Sequence, residues 1–235
     1  ISYCGVYAEL VESWKKVMNA AENSAPILRK DIDILTSLSK FDEGTINKIG
    51  KDRFNNFLKR LIEARPKCKT CGNAGDALVG NMDDVLDDLY DVVTSKALVN
   101  GKFAAGLDDF LKEAGEQASK AKGAALTLKK MARHWEELTA GGWKFKGFEG
   151  RIPDIETGHR LDLQFERINP STQIKEFKSV EIKNWSRARS ITGNVYEQFK
   201  AYISSGKEFE YYFSPGLQEA MKNNFQNVFK DAGKA

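Results

Sequence analysis

The sequence predicts an all-α N-terminal region followed by an α/β or α+β domain, and three observations carry that prediction. Up to about residue 120, apolar residues recur at helical spacing almost throughout. The stretch "GEQASKAKGAA" is small and polar, like a linker. Beyond it, short runs of alternating apolar and polar residues appear between turn-rich segments. The boundary is drawn there, with a helical region over 1–119 and a second domain over 120–235.

In the first region Leu10, Trp14, Val17 and Met18 form one stripe, and Leu28, Ile32, Leu35 and Leu38 the next. Phe54, Phe57, Leu58, Leu61 and Ile62 form a third, ended by Pro66. Asn81 is a candidate N-cap for the helix carrying Met82, Val85, Leu86, Leu89, Val92 and Val93. Its polar side bears Asp83, Asp84, Asp87, Asp88 and Asp91, a solvated acidic face or a partner-recruiting one.

In the second region Leu128, Met131, Ala132, Trp135 and Leu138 make one helix, stopped at Gly141-Gly142. Strands follow over 143–149, 159–166 and 176–185, separated by "PDIETG" and "NPST". A helix over "NVYEQFKAYIS" has Asn194 and Glu197 at capping-box spacing. A strand in "EFEYYFS" and a helix over "LQEAMKNNFQNVF" give the order α-β-β-β-α-β-α.

Composition bounds the possibilities. A chain of 235 residues with 41% hydrophobic and 29% charged residues is an ordinary globular protein, with no apolar run long enough to span a bilayer. It begins at Ile1 with no visible leader, so it is expected to be part of a longer polypeptide, and a missing signal says little about export. Residues 1–115 hold 16 Lys and Arg against 18 Asp and Glu, whereas residues 116–235 hold 20 against 15. The basic excess in the second half points toward a polyanionic partner. Cys68 and Cys71 form a CxxC, but the two histidines are remote and Cys4 stands alone. The pair reads as loop thiols or a local disulfide rather than a zinc site.

The chemistry lies in the strand parity. In "RLDLQF", Leu161, Leu163 and Phe165 share one face, and Arg160, Asp162 and Gln164 the other. In "SVEIKN", Val180 and Ile182 oppose Glu181 and Lys183. On neighbouring strands, Asp162, Glu181 and Lys183 can converge. Two close carboxylates repel, and a divalent cation with hard oxygen ligands relieves that cost, Mg²⁺ first and Mn²⁺ as the alternative. A lysine beside them can orient or deprotonate a water and stabilise charge developing on a phosphate. The bland alternative is a solvated sheet face.

Asp162, an 18-residue gap and then Glu181-Ile-Lys183 resemble the PD-(D/E)xK nuclease superfamily. The resemblance covers roughly residues 122–213 and implies a restriction-endonuclease-like αβββαβ core with a mixed sheet. It places catalytic roles on Asp162, Glu181 and Lys183, with Mg²⁺ held by Asp162 and Glu181. Gln198 and Tyr202 resemble the QxxxY motif of some branches, whose residues fix the lysine or bind a phosphate, and they lie four apart on one helix face. The first-helix glutamate of the family has no secure position: Glu136 and Glu137 come late, while Glu149 on the first strand is a candidate third ligand. Asp154, preceded by Pro153, rivals Asp162 as the strand acid, but that segment reads as a turn. Arg187 and Arg189 are candidate phosphate contacts, and Trp185 either stacks on a base or packs.

"YAELVESWKKVMNAA", "LRKDIDILTSLSK" and "KCKTCGNAG", with "FEGRI", "VEIKNW" and "QFKAYI", resemble Bacteroidetes-like bacterial polymorphic toxins. That resemblance implies a pre-toxin or delivery region followed by a DNase effector. It implies action in the cytoplasm of a rival cell and neutralisation by a cognate immunity protein. An RNase (tRNase) activity on the same fold and a non-catalytic binding domain on a degenerate nuclease fold are the alternatives.

Overall fold

Leu161, Leu163 and Phe165 on one strand and Val180 and Ile182 on the next alternate with polar residues. With Phe145 and Phe148 they support three successive strands in an antiparallel meander whose two faces are covered by helices. The structure is a computed structural model that describes residues 33–64, 81–150, 161–185, 192–205, 207–213 and 217–231. These residues fall into two units. One draws on 33–64, 81–96 and 108–133, the other on 97–107 and the described residues from 134 onward. The helix over 118–133 spans the boundary expected between residues 119 and 120 and is part of the first unit.

The first unit is helical. After a helical stretch at 33–39 come α1 (Glu43–Ile49), α2 (Lys51–Ala64) and α3 (Met82–Asp91), which runs into a π-helical turn at Val92–Lys96. Next are α4 (Leu107–Ala114), which begins at the unit boundary, and α5 (Ala118–Arg133). Helices α2 and α3 pack on α5. Asp42 caps α1 by accepting from the Thr45 amide at 2.6 Å. The "ASKAKGAA" segment is no linker. Alanine is the strongest helix former, and Ala121, Ala124 and Ala125 are buried along α5 with Leu128 and Met131.

Two further expectations are corrected here. Ile62 is 38% exposed and lies outside the α2 stripe, whose buried members are Phe54, Phe57, Leu58 and Leu61. Asn81 does occupy the N-cap position of α3, as expected, although its side chain makes no cap hydrogen bond. The acidic face of α3 is also not merely solvated. Arg133 donates to Asp88 at 3.0 Å and to Asp84 at 2.8 Å, and Lys40 meets Asp87 at 2.7 Å. Burial raises the Asp88 carboxyl above its ordinary pKa, against the pull of Arg133.

The second unit contains a hairpin the sequence reading missed: β1 (Leu98–Val99) and β2 (Lys102–Phe103). Asn100 and Gly101 both take positive φ at its turn, the Asn-Gly signature of a tight hairpin. The helix expected through 128–138 breaks at His134, and a short α6 (Trp135–Thr139) follows. Strands β3 (Lys144–Gly150), β4 (Leu161–Ile168) and β5 (Lys175–Lys183) pair antiparallel in order. Helix α7 (Gly193–Ser204) then crosses to β6 (Glu208–Phe213), which lies parallel to β5, and α8 (Gln218–Asp231) follows. The sheet is therefore mixed and four-stranded, in the order β3-β4-β5-β6. Helix α7 starts at Gly193 with Thr192 as its N-cap, so the capping box expected at Asn194 is not formed. No helix among the described residues is long and apolar enough to cross a membrane.

One face of this sheet packs Trp135 of α6 against Phe145 and Phe165, with Lys178 donating to the Leu138 carbonyl at 2.5 Å. The other face packs Phe199, Tyr202 and Ile203 of α7 and Met221 of α8 against Tyr211 and Phe213. Residues 105–106 run along the outer edge of β3, where the Phe148 amide donates to the Ala105 carbonyl at 2.8 Å. Gly106 sits at φ 81°, and a Cβ there would meet the Phe148 carbonyl oxygen at 2.2 Å. Gly106→Ala is therefore expected to destabilise this unit by about 2 kcal/mol or more, through clash and positive φ together. Urea denaturation followed by tryptophan fluorescence measures it, and a change below ~0.5 kcal/mol would show that the approach is not required.

Candidate active site

The site is built on one row across the sheet. Phe148 pairs with Leu163 and Gly150 with Leu161, which sets Glu149 against Asp162. One step beyond the Leu163–Val180 pair, the β4–β5 register sets Asp162 against Glu181, and Glu181 pairs directly with Tyr211 of β6. Residues opposite one another on adjacent strands share a face, so the row is directed to the side covered by α7 and α8. Glu149 has a positive φ of 50°, an unusual conformation for a non-glycine residue and a local distortion at the start of the row.

The carboxylates are not on a solvated face. Glu181 is 5% exposed, although its neighbours Val180 and Ile182 are also buried on the opposite face. Strand β5 is thus covered on both sides, and its polar residues are enclosed by helix α7. Lys183 donates to Glu181 Oε1 in a close ion pair and to Gln198 Oε1 at 3.3 Å. Gln198 Nε2 in turn donates to the Tyr202 hydroxyl at 2.8 Å and reaches Glu181 Oε1 at 3.5 Å. The i,i+4 spacing places Gln198 and Tyr202 one turn apart on the sheet-facing side of α7, and both are buried. A charge buried without compensation is costly, so this one carboxylate requires its ammonium and amide partners.

Asp162 has a different role in the framework. Its Oδ2 accepts the Ile182 amide at 2.5 Å, so its side chain bridges β4 and β5. Burial raises its carboxyl well above the ordinary carboxylate pKa, and the charges of Glu181 and, more weakly, Glu149 push in the same direction. The Ile182 amide and Lys183 oppose that rise. The Tyr202 and Tyr211 phenols are raised as well, by burial first and then by the Glu181 charge.

The structure therefore brings together Asp162, Glu181, Lys183, Gln198 and Tyr202, all five predicted from sequence. Glu149 lies in the same row and its charge reaches Asp162. Among the described residues, however, no three His, Cys, Asp or Glu side chains are grouped closely enough to hold a metal ion. Glu136 and Glu137 belong to α6, which covers the other face of the sheet, so neither supplies an acid to this row. Trp185 is half-buried and packs on Phe213 at 5.5 Å between ring centroids. Arg187, Arg189, Asp154, Cys4, Cys68 and Cys71 lie outside the described residues. The sequence reading did not place Tyr211 at the site. The available signal was its position as the one hydroxyl-bearing residue among Phe209, Tyr211 and Phe213 on that face of β6.

The donor set can be tested against a divalent cation. Asp162 and Glu181 offer hard oxygen ligands, and their mutual repulsion is what a cation relieves. Mg²⁺ commonly takes only one or two protein carboxylates and fills its remaining positions with water and substrate phosphate, so two ligands suffice. Scans of the chain against protein-family models, curated proteins and solved structures returned no match.

A raised carboxyl pKa gives a definite pH dependence. The folded state holds the Asp162 proton more tightly than the unfolded chain, so this group's contribution to stability falls as pH rises from the unfolded value through the higher folded one. Asp162→Asn keeps an oxygen for the Ile182 amide and removes the charge. Without divalent metal it is expected to be more stable than wild type at pH 7, with a flatter profile above pH ~4. Urea denaturation at a series of pH values in EDTA checks this, and equal slopes for the two proteins would refute it.

Proposed function

We propose that the second unit is a metal-dependent nuclease that hydrolyses phosphodiester bonds of DNA. The reading is carried by one observation: Lys183 meets Glu181 and Gln198 beneath α7, beside an Asp162 carboxyl strained by its neighbours' charge. The resemblance of Asp162, Glu181-Ile-Lys183 and Gln198-Tyr202 to the PD-(D/E)xK motifs supports it, as does the order of three antiparallel strands, helix and parallel fourth strand.

In this reading Asp162 and Glu181 hold Mg²⁺, which when bound polarises the phosphate and neutralises its charge. Lys183 positions the attacking water and stabilises charge developing on the phosphate oxygens. Gln198 fixes the lysine through its carbonyl oxygen, and Tyr202 holds the amide of Gln198 in that orientation. The arrangement needs no covalent enzyme intermediate. Arg187 and Arg189 follow β5 closely in sequence and are assigned to the backbone of the nucleic acid.

At the level of the organism, the proposal is a toxin delivered into rival bacteria and acting in their cytoplasm. The helical region serves as a pre-toxin module within a parent polypeptide. The net basic second half suits an acidic immunity protein, because complementary charge accelerates encounter and excludes wrong partners. One observation favours a second reading, a binding domain without turnover: Lys183 already closes on Glu181.

Incubating the protein with plasmid DNA and with total RNA, each with Mg²⁺ or EDTA, distinguishes these readings. DNA cleavage that requires Mg²⁺ is expected, with a loss of at least about 100-fold for Asp162→Ala and for Lys183→Ala. Cleavage of RNA alone would make the protein a ribonuclease, and cleavage of neither would leave the binding domain. Full activity in Asp162→Ala combined with inactivity in Asp154→Ala would move the strand acid to Asp154.

A further inference from the structure

The sheet face that carries Asp162 and Glu181 leads along the strands to an exposed basic strip. Past the Gln164–Ser179 pair, Glu166 of β4 stands between Lys144 of β3 and Phe177 of β5. Lys144 and Lys146 are exposed there and Phe177 is half-buried. The β3–β4 register shifts between Phe145 and Gly147, so Lys146 is the extra residue of a bulge, a device that re-aims a side chain. Lys146 accordingly reaches past β4, and its ammonium sits 4.7 Å from the centre of the Phe177 ring on β5. Glu166 is the carboxylate facing the strip, and Lys175 meets it at 3.2 Å. Glu176 lies on the opposite face with Arg167. Among the described residues Lys144 and Lys146 make no ion pair, which leaves three lysines against one carboxylate.

We propose that Lys144 and Lys146 bind the phosphate backbone of a nucleic acid strand, while Lys175 neutralises the carboxylate that would repel it. An uncompensated cluster of ammonium groups suits a polyanion. Its place favours nucleic acid over an acidic protein. Phe177 stands four residues before Glu181 on β5, about 13 Å at the rise of a strand, which is about four phosphates of a stacked nucleic acid strand. A strand bound here therefore lies on the same face as the Asp162–Glu181 row and within a few nucleotides of it. The Phe177 ring restrains the Lys146 ammonium, so less side-chain freedom is lost on binding. Contacts of lysine with phosphate carry no base information, so the strip contributes affinity without sequence preference. The inference goes beyond the cleavage reading, because it requires neither metal nor turnover.

Fluorescence anisotropy of the full chain with a labelled single-stranded DNA oligonucleotide, in EDTA over a salt series, tests this. Lys144→Gln combined with Lys146→Gln is expected to weaken binding about 10-fold at moderate salt. The slope of log affinity against log salt is expected to shrink by about 1.4, or about 0.7 for each phosphate contact. Glu166→Gln releases Lys175 and is expected to tighten binding about threefold, a gain that a purely structural role for the strip would not give. Lys51→Gln combined with Lys59→Gln removes the same charge from α2 and is expected to leave affinity and slope unchanged. A strip variant that matches this control overturns the inference, as does a wild type that does not bind the oligonucleotide. Poly-glutamate bound as tightly as DNA, and lost in the same variant, also overturns it by assigning the strip to an acidic protein. Binding that changes as expected in a protein that cleaves neither DNA nor RNA with Mg²⁺ upholds the inference and removes the nuclease reading. Cleavage with unchanged binding in the strip variant does the reverse.

Discussion

The arrangement of the second unit depends on one constraint: a glutamate charge is buried between a sheet and a helix. Glu181 occupies a strand covered on both faces, where a charge costs several kcal/mol unless it is compensated. Lys183 supplies the opposite charge from two residues along the same strand, and Gln198 supplies polar contact from α7. Each compensation requires a particular placement of α7 over β5. The crossover helix therefore cannot slide or rotate freely, because a shift of one residue would carry Gln198 away from the lysine. Structural stability alone would be served better by an apolar residue at Glu181, which is why the buried charge points to function.

The surrounding framework converts that constraint into a defined geometry. Asp162 has a carboxylate oxygen on the Ile182 amide, so the same side chain joins two strands and brings a second negative charge toward Glu181. Aromatic residues from β6, α7 and α8 close the region from the far side and exclude the water that would otherwise screen the repulsion. At the opposite edge, the close approach of residues 105–106 to β3 occupies backbone groups that an edge strand would otherwise expose. Helical packing in the first unit follows a different logic. There an acidic face that would repel itself is tied down by Arg133 and Lys40.

Much of the site was legible before any coordinates, because a strand has a side-chain period of two and a helix one of 3.6. Parity alone put Asp162, Glu181 and Lys183 on polar faces, and spacing put Gln198 and Tyr202 on one side of a helix. The failures have equally physical causes. An alanine- and lysine-rich segment has the composition of a linker until it is packed, when its small side chains become a helix contact surface. The break at His134 and the hairpin at Asn100-Gly101 are short features that window-based periodicity averages away. Tyr211 escaped notice because it joins the row through a parallel pairing with a residue 30 positions away in sequence.

The sequence by itself determined the order of the elements, the faces on which charged residues lie and the candidate donors of a divalent cation. Local steric preference and alternation suffice for those properties. Only the tertiary structure decided that the polar face of β5 is enclosed, that Asp162 leans on the Ile182 amide, and that Lys183 is shared between Glu181 and Gln198. It also decided that Glu149 and Tyr211 stand in the same row. Those facts depend on strand register and on the placement of a crossover helix. Both are set by the summed packing of residues far apart in the chain, so no local window contains them.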